Sequence, residues 1–398
     1  MRSRTSALNV GAVPVPLPKP DQTLLVPPSA DEVALTARGV ASAVAPPGGL
    51  TDVQRVLLEA LFPAMTGHPV RLERFEPMTA AELGEVLRPR NLAFRTRGVQ
   101  VMLLAALVLR PIPPVVVDRV AEFANELCVD DDMIGVAREF AKGSLGLAAI
   151  DFERNGYTAS WHPQDAHELH TSDELSSAWD AAVNDPRLAA RWVALAELDD
   201  RSLGRKVFEL YEARGFSFPG QLGSAPPLLA QHDWVHVLAD YGTTVEAELE
   251  VFAFIARAND DMRAFSLLAM VVSLFETGYL RRGAGLFESD TGHISAGEAV
   301  AARIADAMRR GASCRDRVLG VDSIDFLRLD WFSLSDLPLA EVRDRFGLPA
   351  KSPEAVKAGS VGPWQPGGIS PFQLAAGRAL AERAGRTYSS HGASVAES

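Results

Sequence analysis

The sequence predicts an all-α protein, and three observations support that fold class. Nearly every apolar stretch repeats with the 3.6-residue period of a helix, and no run alternates in the way a strand does. Signals for helix starts recur, as where Thr51 is followed by Gln54 and Thr79 by Glu82, two matches to the capping box. We find neither a GxGxxG loop nor a P-loop, so the nucleotide-binding α/β folds are disfavoured.

Composition limits the classes of partner. A chain of 398 residues with 47% hydrophobic and 23% charged residues suits a globular protein of two or more domains. The net charge of −12 and the lack of a basic stripe exclude nucleic acid and purely electrostatic binding to anionic lipid. Cys128 and Cys314 form no CxxC pair, which favours a reducing cytoplasm. The apolar runs 99–109 and 265–275 are shorter than a membrane span of about 20 residues.

The chain begins with two regions of different character. Residues 1–50 are rich in Pro, Ala, Val and Ser and predict a mostly disordered leader. Residues 51–155 predict a helical module, with helices near 91–109, 114–128, 130–142 and 144–153. Its acidic run Asp130, Asp131 and Asp132 is better explained as capping of a helix start than as a metal site.

A histidine-containing linker is expected at residues 156–171. His162, His167 and His170 make it a rival metal site. Spacings of five and three residues do not align all three on one helix face, and Pro163 indicates a turn. A solvated linker is therefore the favoured interpretation.

Residues 172–347 predict the larger domain, and residues 348–398 predict a loop, one short helix and a polar tail. The helices expected in the larger domain are 173–183, 186–198, 202–213, 226–240, one from Thr243 or Thr244, 261–279, one from Ser295 to Arg310 ended by Gly311, and one from Asp336 that stops at Gly347. The helix at 261–279 is apolar nearly all round, which predicts a place at the centre of the domain.

The most informative stretch is 226–259, which predicts a metal-binding helical hairpin. His232 and His236 are one helical turn apart, which places their side chains about 5 to 6 Å from each other, and Asp233 flanks them. In the second helix, where Thr243 and Glu246 match a capping box, Glu248 falls in the apolar stripe. Glu246 and Glu250 are expected on a polar edge.

A carboxylate among aliphatic residues costs several kcal/mol unless it has a partner. A cation bound jointly by Glu248, His232 and His236 would supply that partner. The simpler alternative is a protonated histidine that donates a hydrogen bond to Glu248. Two histidines with carboxylates suit a divalent metal, with zinc the first choice and iron or manganese also compatible. Asp233 is then a ligand, an outer partner that fixes a histidine tautomer, or a general base. Tyr241 is a candidate proton donor, although a packing role is the favoured interpretation.

The spacing His232, Asp233, two residues, His236, eleven residues and Glu248 resembles the HDxxH-x11-E signature of the coenzyme Q biosynthesis protein 4 family. GRKVFELYEARGFSFPG upstream and LDWFSLSDLPLAEVRDRFGLP downstream look like that family's order of elements, so the resemblance covers about residues 180–350. The N-terminal region of this chain is an addition to that family's pattern. Within it, residues 115–144 faintly resemble tellurite-resistance B-like helical domains, which assigns no residue and no task.

The coenzyme Q resemblance implies an all-helical protein of ubiquinone synthesis in which His232, Asp233, His236 and Glu248 are metal ligands and catalytic residues. It implies replacement of the C1 carboxyl of a prenylated hydroxybenzoate by hydroxyl. The alternative it leaves open is a non-catalytic lipid-binding or scaffolding protein with a structural metal. Expected partners are a prenylated aromatic or isoprenoid lipid and other quinone-biosynthesis proteins, in the cytoplasm or at the inner face of the membrane. A homodimer is left open.

Overall fold

The protein is all-α in a computed structural model that describes residues 27–109, 111–142, 184–222, 224, 230–259, 265, 268–269, 271–272 and 298–396. These residues form helices and no β-strand, which confirms the predicted class. The N-terminal helices are α1 (Ala30–Val44), α2 (Asp52–Thr66), α3 (Ala80–Leu87), α4 (Leu92–Leu107), α5 (Pro114–Glu126) and α6 (Met133–Ala141). The later helices are α7 (Pro186–Val193), α8 (Leu203–Arg214), α9 (Gln231–Ala239), α10 (Val245–Ala258), α11 (Glu298–Ser313), α12 (Leu339–Arg345), α13 (Pro353–Lys357) and α14 (Pro371–Arg383).

The predicted disordered leader is wrong for residues 30–44, which form α1. The Ser29 hydroxyl accepts from the Glu32 amide at the helix start, and the inward face of α1 is buried against α3, α4 and α5. The prolines that suggested disorder lie before Ser29 and after Val44, outside the helix. Alanine-rich composition here serves close packing, because small side chains let helices approach, as where Gly39 meets Leu83. Residues 1–26 lie outside the described residues.

Several helix starts follow their sequence signals. The capping boxes of α2 at Thr51 and of α3 at Thr79 are both present. The interpretation of the acidic run as a cap holds for Asp131, whose carboxylate accepts from the Met133 amide at 2.9 Å. The expected helices at 144–153 and 173–183, most of 261–279, and the His162, His167 and His170 cluster lie outside the described residues.

The N-terminal helices and the later ones share one continuous core. Helix α11 packs along α10 on one side and against α2 on another. The expected stop of α11 at Gly311 is wrong, since the helix runs to Ser313. Gly311 serves packing instead, because a Cβ there would lie 2.2 Å from the Phe254 carbonyl oxygen of α10. The close approach of these two helices positions α10 within the domain.

The join between α9 and α10 differs from its prediction in two ways. Helix α9 ends at Ala239, one residue before the predicted end, and the next residue, Asp240, adopts the left-handed conformation (φ 62°). The predicted capping box is also wrong, because α10 begins after Thr244 with no side-chain cap. The hydroxyl of Thr243 is taken by tertiary contacts, accepting from Arg214 and donating to Gln373.

The C-terminal region is more ordered than the expected loop and polar tail. Helix α12 ends before Gly347, which has φ 60°, as predicted. Helix α14 packs on α8, and the buried Arg214 donates to the carbonyls of Pro363 and Gly368 at 2.7 and 2.9 Å. Among the described residues, no helix combines the length and the apolar character that crossing a membrane requires.

Candidate metal centre

Four polar side chains meet where α9 faces α10. His232, Asp233 and His236 lie on α9 and Glu248 lies on the first turn of α10, and all four are buried. The two imidazole rings are 5.2 Å apart between centroids, as expected for residues one turn apart. The structure therefore brings together the four residues that the sequence singled out.

Glu248 lies between the two histidines. Its Oε2 is 3.2 Å from Nε2 of His232, and its Oε1 is 3.1 Å from Nε2 of His236. The ring of Phe252 stacks on His232 at 5.2 Å and covers one face of the imidazole. The prediction that Glu248 points into the apolar interior and not into solvent is confirmed by its 2% exposure.

Asp233 completes the group from the α9 side. One ligand atom each from His232, Asp233 and His236 falls within 4.8 Å of the others, and Oδ1 of Asp233 is 3.5 Å from Nε2 of His232. The other oxygen of Asp233 accepts a hydrogen bond from the Tyr211 hydroxyl. Tyr211 is held in turn by stacking on Phe218 at 5.3 Å. Asp233 is thus fixed in position by α8.

The tautomer of His236 follows from its second nitrogen. Nδ1 of His236 is 2.7 Å from the carbonyl oxygen of Gly242. Since a carbonyl can only accept, Nδ1 bears the proton, and in the neutral ring Nε2 presents a lone pair toward Glu248. Nε2 has no hydrogen-bond partner among the described residues. A lone pair facing a carboxylate requires either a proton or a cation between them.

The electrostatics of the two carboxyls differ. Burial alone would raise the pKa of Glu248, but His236 and His232, when they are protonated, lower it well below its usual range through their charges and hydrogen bonds. Burial raises the pKa of Asp233, and the histidines and Tyr211 offset only part of that rise. The group therefore contains one carboxyl with a lowered pKa, Glu248, and one with a raised pKa, Asp233.

The separations suit a tetrahedral ion. Ligand bonds of about 2.0 to 2.2 Å put tetrahedral ligand atoms about 3.3 to 3.6 Å apart. Three N···O separations, 3.1, 3.2 and 3.5 Å, lie close to that edge length, and the first two end on different oxygens of Glu248. The same separations also suit a protonated histidine paired with Glu248.

Two residues at the site were not identified from the sequence. Tyr211, rather than Tyr241, contributes the hydroxyl that contacts the group, whereas Tyr241 lies beside Arg310 and Lys351. Burial lowers the pKa of Arg214, and the charges of Tyr388, Asp233 and Glu248 offset part of that fall. A buried tyrosine or arginine on an amphipathic helix has no sequence signal that distinguishes it from a surface residue.

A comparison of the chain with protein-family models, with curated proteins and with solved structures found no match in any of the three. The resemblance to the coenzyme Q biosynthesis protein 4 family therefore depends on the four-residue motif and the segments around it.

Proposed function

We propose that the protein binds one divalent cation, with zinc fitting best, through His232, Asp233, His236 and Glu248. The observation that supports the proposal is the position of Nε2 of His236, which is buried 3.1 Å from the Glu248 carboxylate while Nδ1 contacts the Gly242 carbonyl. A cation shared by the two removes a repulsion that burial would otherwise make costly. His232, Asp233 and His236 form one group of possible ligands, and Glu248 joins it through its contacts with both imidazoles.

A divalent ion bound there supplies a Lewis acid that can polarise a substrate carboxylate or lower the pKa of a water. Other groups of the protein would hold the ligands in position. Gly242 fixes the His236 tautomer, and Tyr211 orients Asp233 by donating to one of its oxygens. The side chains of His232 and Asp233 retain 7% and 9% exposure, so a substrate would approach from their side.

For the substrate, the motif resemblance points to a prenylated hydroxybenzoate whose C1 carboxyl is replaced by hydroxyl in ubiquinone synthesis. The ring loses CO2 and gains one oxygen atom, so the reaction needs a two-electron oxidant such as dioxygen. The net charge of −12 argues for an apolar contact with the prenyl chain rather than an electrostatic one with the membrane. We place the protein in the cytoplasm or at the inner face of the membrane.

A second candidate is a lipid-binding or scaffolding protein of the same pathway, in which the ion is structural. The observation that favours it is the enclosure of His236 and Glu248, whose side chains are 0% and 3% exposed. Closed sites with four protein ligands are typical of structural zinc. In that protein the ion would stabilise the fold without meeting a substrate.

Metal analysis of the purified full-length protein tests the ion. We expect about one metal per chain and its loss in His236→Ala, because removal of an imidazole leaves three ligands. His68→Ala, in the loop after α2, is the matched control and retains the metal. Metal content equal in both variants, or absent from the parent protein, would mean that Glu248 is paired by a protonated histidine.

Profiling of quinone intermediates in a host strain that lacks the gene tests the reaction. The enzyme proposal expects a prenylated hydroxybenzoate that retains its carboxyl to accumulate, and expects His236→Ala not to restore the product. The scaffold proposal expects any His236→Ala protein that folds to restore it. An unchanged profile on deletion would remove the pathway assignment and leave the metal site standing.

A further inference from the structure

A cavity of about 260 Å³ lies between the N-terminal helices and the later ones. Helices α1, α2 and α4 form one side of it, and α10, α11 and the loop that follows α11 form the other. The exposed residues Ala312 and Asp322 mark the end that opens to solvent. None of the four proposed metal ligands lines this cavity, so it is separate from the candidate metal centre.

Most of the lining is apolar. Val40, Phe62 and Val101 are buried around the cavity on three different helices. Thr36 and Thr66 also line it, but the hydroxyl of each donates to the carbonyl four residues earlier in its own helix, at 2.7 Å. An ordered water needs about two to four polar partners, and these walls offer few. The lining therefore favours an apolar occupant.

Gly98 widens the cavity from within helix α4. A Cβ placed there would meet no heavy atom of the packed helices within 4 Å, and the residue has no positive φ. Neither close packing nor the backbone conformation therefore requires glycine at this position. Glycine inside a helix is less stable than alanine, so the chain gives up stability where the cavity is. This choice of residue is a second sign that the space is used.

The charges of the lining indicate what kind of apolar molecule fits. Its charged residues are Arg97, Arg257 and Asp322. Arg97 is buried, with its guanidinium carbon 4.0 Å from the centroid of the Phe265 ring. Two cations and one exposed acid leave one positive charge in excess, which a monoanion would balance. A guanidinium has five N–H donors, so an arginine that already has a partner can still bind a carboxylate.

We propose that this cavity binds one medium-chain monocarboxylate, with octanoate as the probe. The carboxylate accepts from the guanidinium groups of Arg97 and Arg257, and the alkyl chain lies along the apolar walls beside Gly98. A methylene takes about the same volume as a water in a liquid, roughly 30 Å³, so the cavity holds about nine such groups. The N-terminal helices thereby acquire a task, since they form one wall of a lipid site that does not depend on the metal.

Calorimetric titration of the full-length protein with hexanoate, octanoate, decanoate and dodecanoate, each below its micelle concentration, tests the size of the site. Each buried methylene is worth about fourfold in affinity. We expect affinity to rise by that factor up to octanoate or decanoate and to level off by dodecanoate, because further methylenes stay in solvent. A constant rise up to dodecanoate would indicate adsorption on an apolar surface and would overturn the proposal, as would no binding at all.

The head group and the arginines are tested together. Octanol should bind about tenfold more weakly than octanoate or less tightly still, because it lacks the charge. Arg97→Met and Arg257→Met should each weaken octanoate about tenfold and leave octanol unchanged. Arg383→Met replaces an exposed arginine of α14 and serves as the control. Equal affinity of the parent protein for octanoate and octanol would refute a carboxylate site.

Gly98→Leu locates the site by filling it. The variant should lose octanoate binding and should melt at the same temperature as the parent protein or higher, since it gains helix propensity and apolar contacts. Gly135→Leu on α6 is the matched control, because a Cβ there also meets no heavy atom within 4 Å but Gly135 does not line the cavity. Octanoate binding retained in Gly98→Leu would place the carboxylate elsewhere, at the metal for example, and the proposal would fail. If Gly98→Leu does not fold, Arg257→Met, which replaces a partly exposed side chain, decides the location.

Discussion

Helix α10 has two buried glutamates, Glu248 and Glu250, and they belong to different polar groups. Residues two apart on a helix point in directions about 200° apart, so the two carboxyls face opposite sides. Glu248 meets two histidines of α9, whereas Glu250 meets Arg303 of α11. The comparison teaches that a buried acid is explained by its partner, which is a pair of imidazoles for Glu248 and a guanidinium for Glu250.

The largest expected effect comes from Glu250→Ala, which tests the side of α10 that faces Arg303. It leaves Arg303 buried without its ion-pair partner, which should lower the free energy of unfolding by about 3 to 5 kcal/mol. Chemical denaturation measures the loss, with exposed Glu122→Ala on α5 as the control. A loss near zero would mean that Arg303 finds another partner and that the two faces of α10 are less distinct than their contacts indicate.

Glu248→Gln tests the other face with a change of one atom. The amide keeps the shape but loses the charge that binds a cation, so metal affinity should fall by more than the roughly 10- to 100-fold typical of an outer partner. The measurement is metal content, together with the melting temperature before and after chelation. We expect a chelator to lower the melting temperature of the parent protein and to leave the variant unchanged. Identical responses would argue for a protonated histidine pair.

Tyr211→Phe sharpens the comparison without touching a ligand. Asp233 loses the donor to its second oxygen, which should cost about 1 to 3 kcal/mol of stability and about 10- to 100-fold in metal affinity. Competition with a chromogenic chelator measures the affinity. Tyr388→Phe, whose hydroxyl donates to the Ala213 carbonyl outside the site, is the control and should cost stability only.

The smallest expected effect is a pH dependence at Lys351. Burial lowers its pKa from the usual 10.5 to about 8, and the charges of Asp240 and Glu250 offset only part of that fall. Between those two values the unfolded chain binds more protons than the folded one, so stability should rise as the pH rises from about 8 to about 10.5. Denaturation at a series of pH values measures the slope. The slope should be smaller in Lys351→Met and unchanged in Lys357→Met.

Local signals predicted the pieces of the molecule well. The capping boxes at Thr51 and Thr79 each bond within four residues, so they form wherever the helix forms. The one-turn spacing of His232 and His236 and the inward direction of Glu248 follow from helical geometry alone. These features depend only on neighbours in the chain.

The errors share a cause, which is that each depended on a distant partner. Residues 30–44 were predicted to belong to a disordered leader, but they form a helix that packs against α3, α4 and α5. Glu250 was predicted to lie on a polar edge, but it is buried and forms an ion pair with Arg303, 53 residues later in the chain. Thr243 was predicted to cap a helix, but its hydroxyl accepts a hydrogen bond from Arg214 and donates one to Gln373.

The sequence by itself determined the helical class and the four residues of the candidate metal centre, because helix period and one-turn spacing are local properties of the chain. Only the tertiary structure decided that Tyr211 orients Asp233, that Gly242 sets the tautomer of His236, and that cations gather around Tyr241. Hydrogen-bond partners and burial are set by which helices pack together, and such long-range contacts leave no spacing in a single sequence from which they could be predicted.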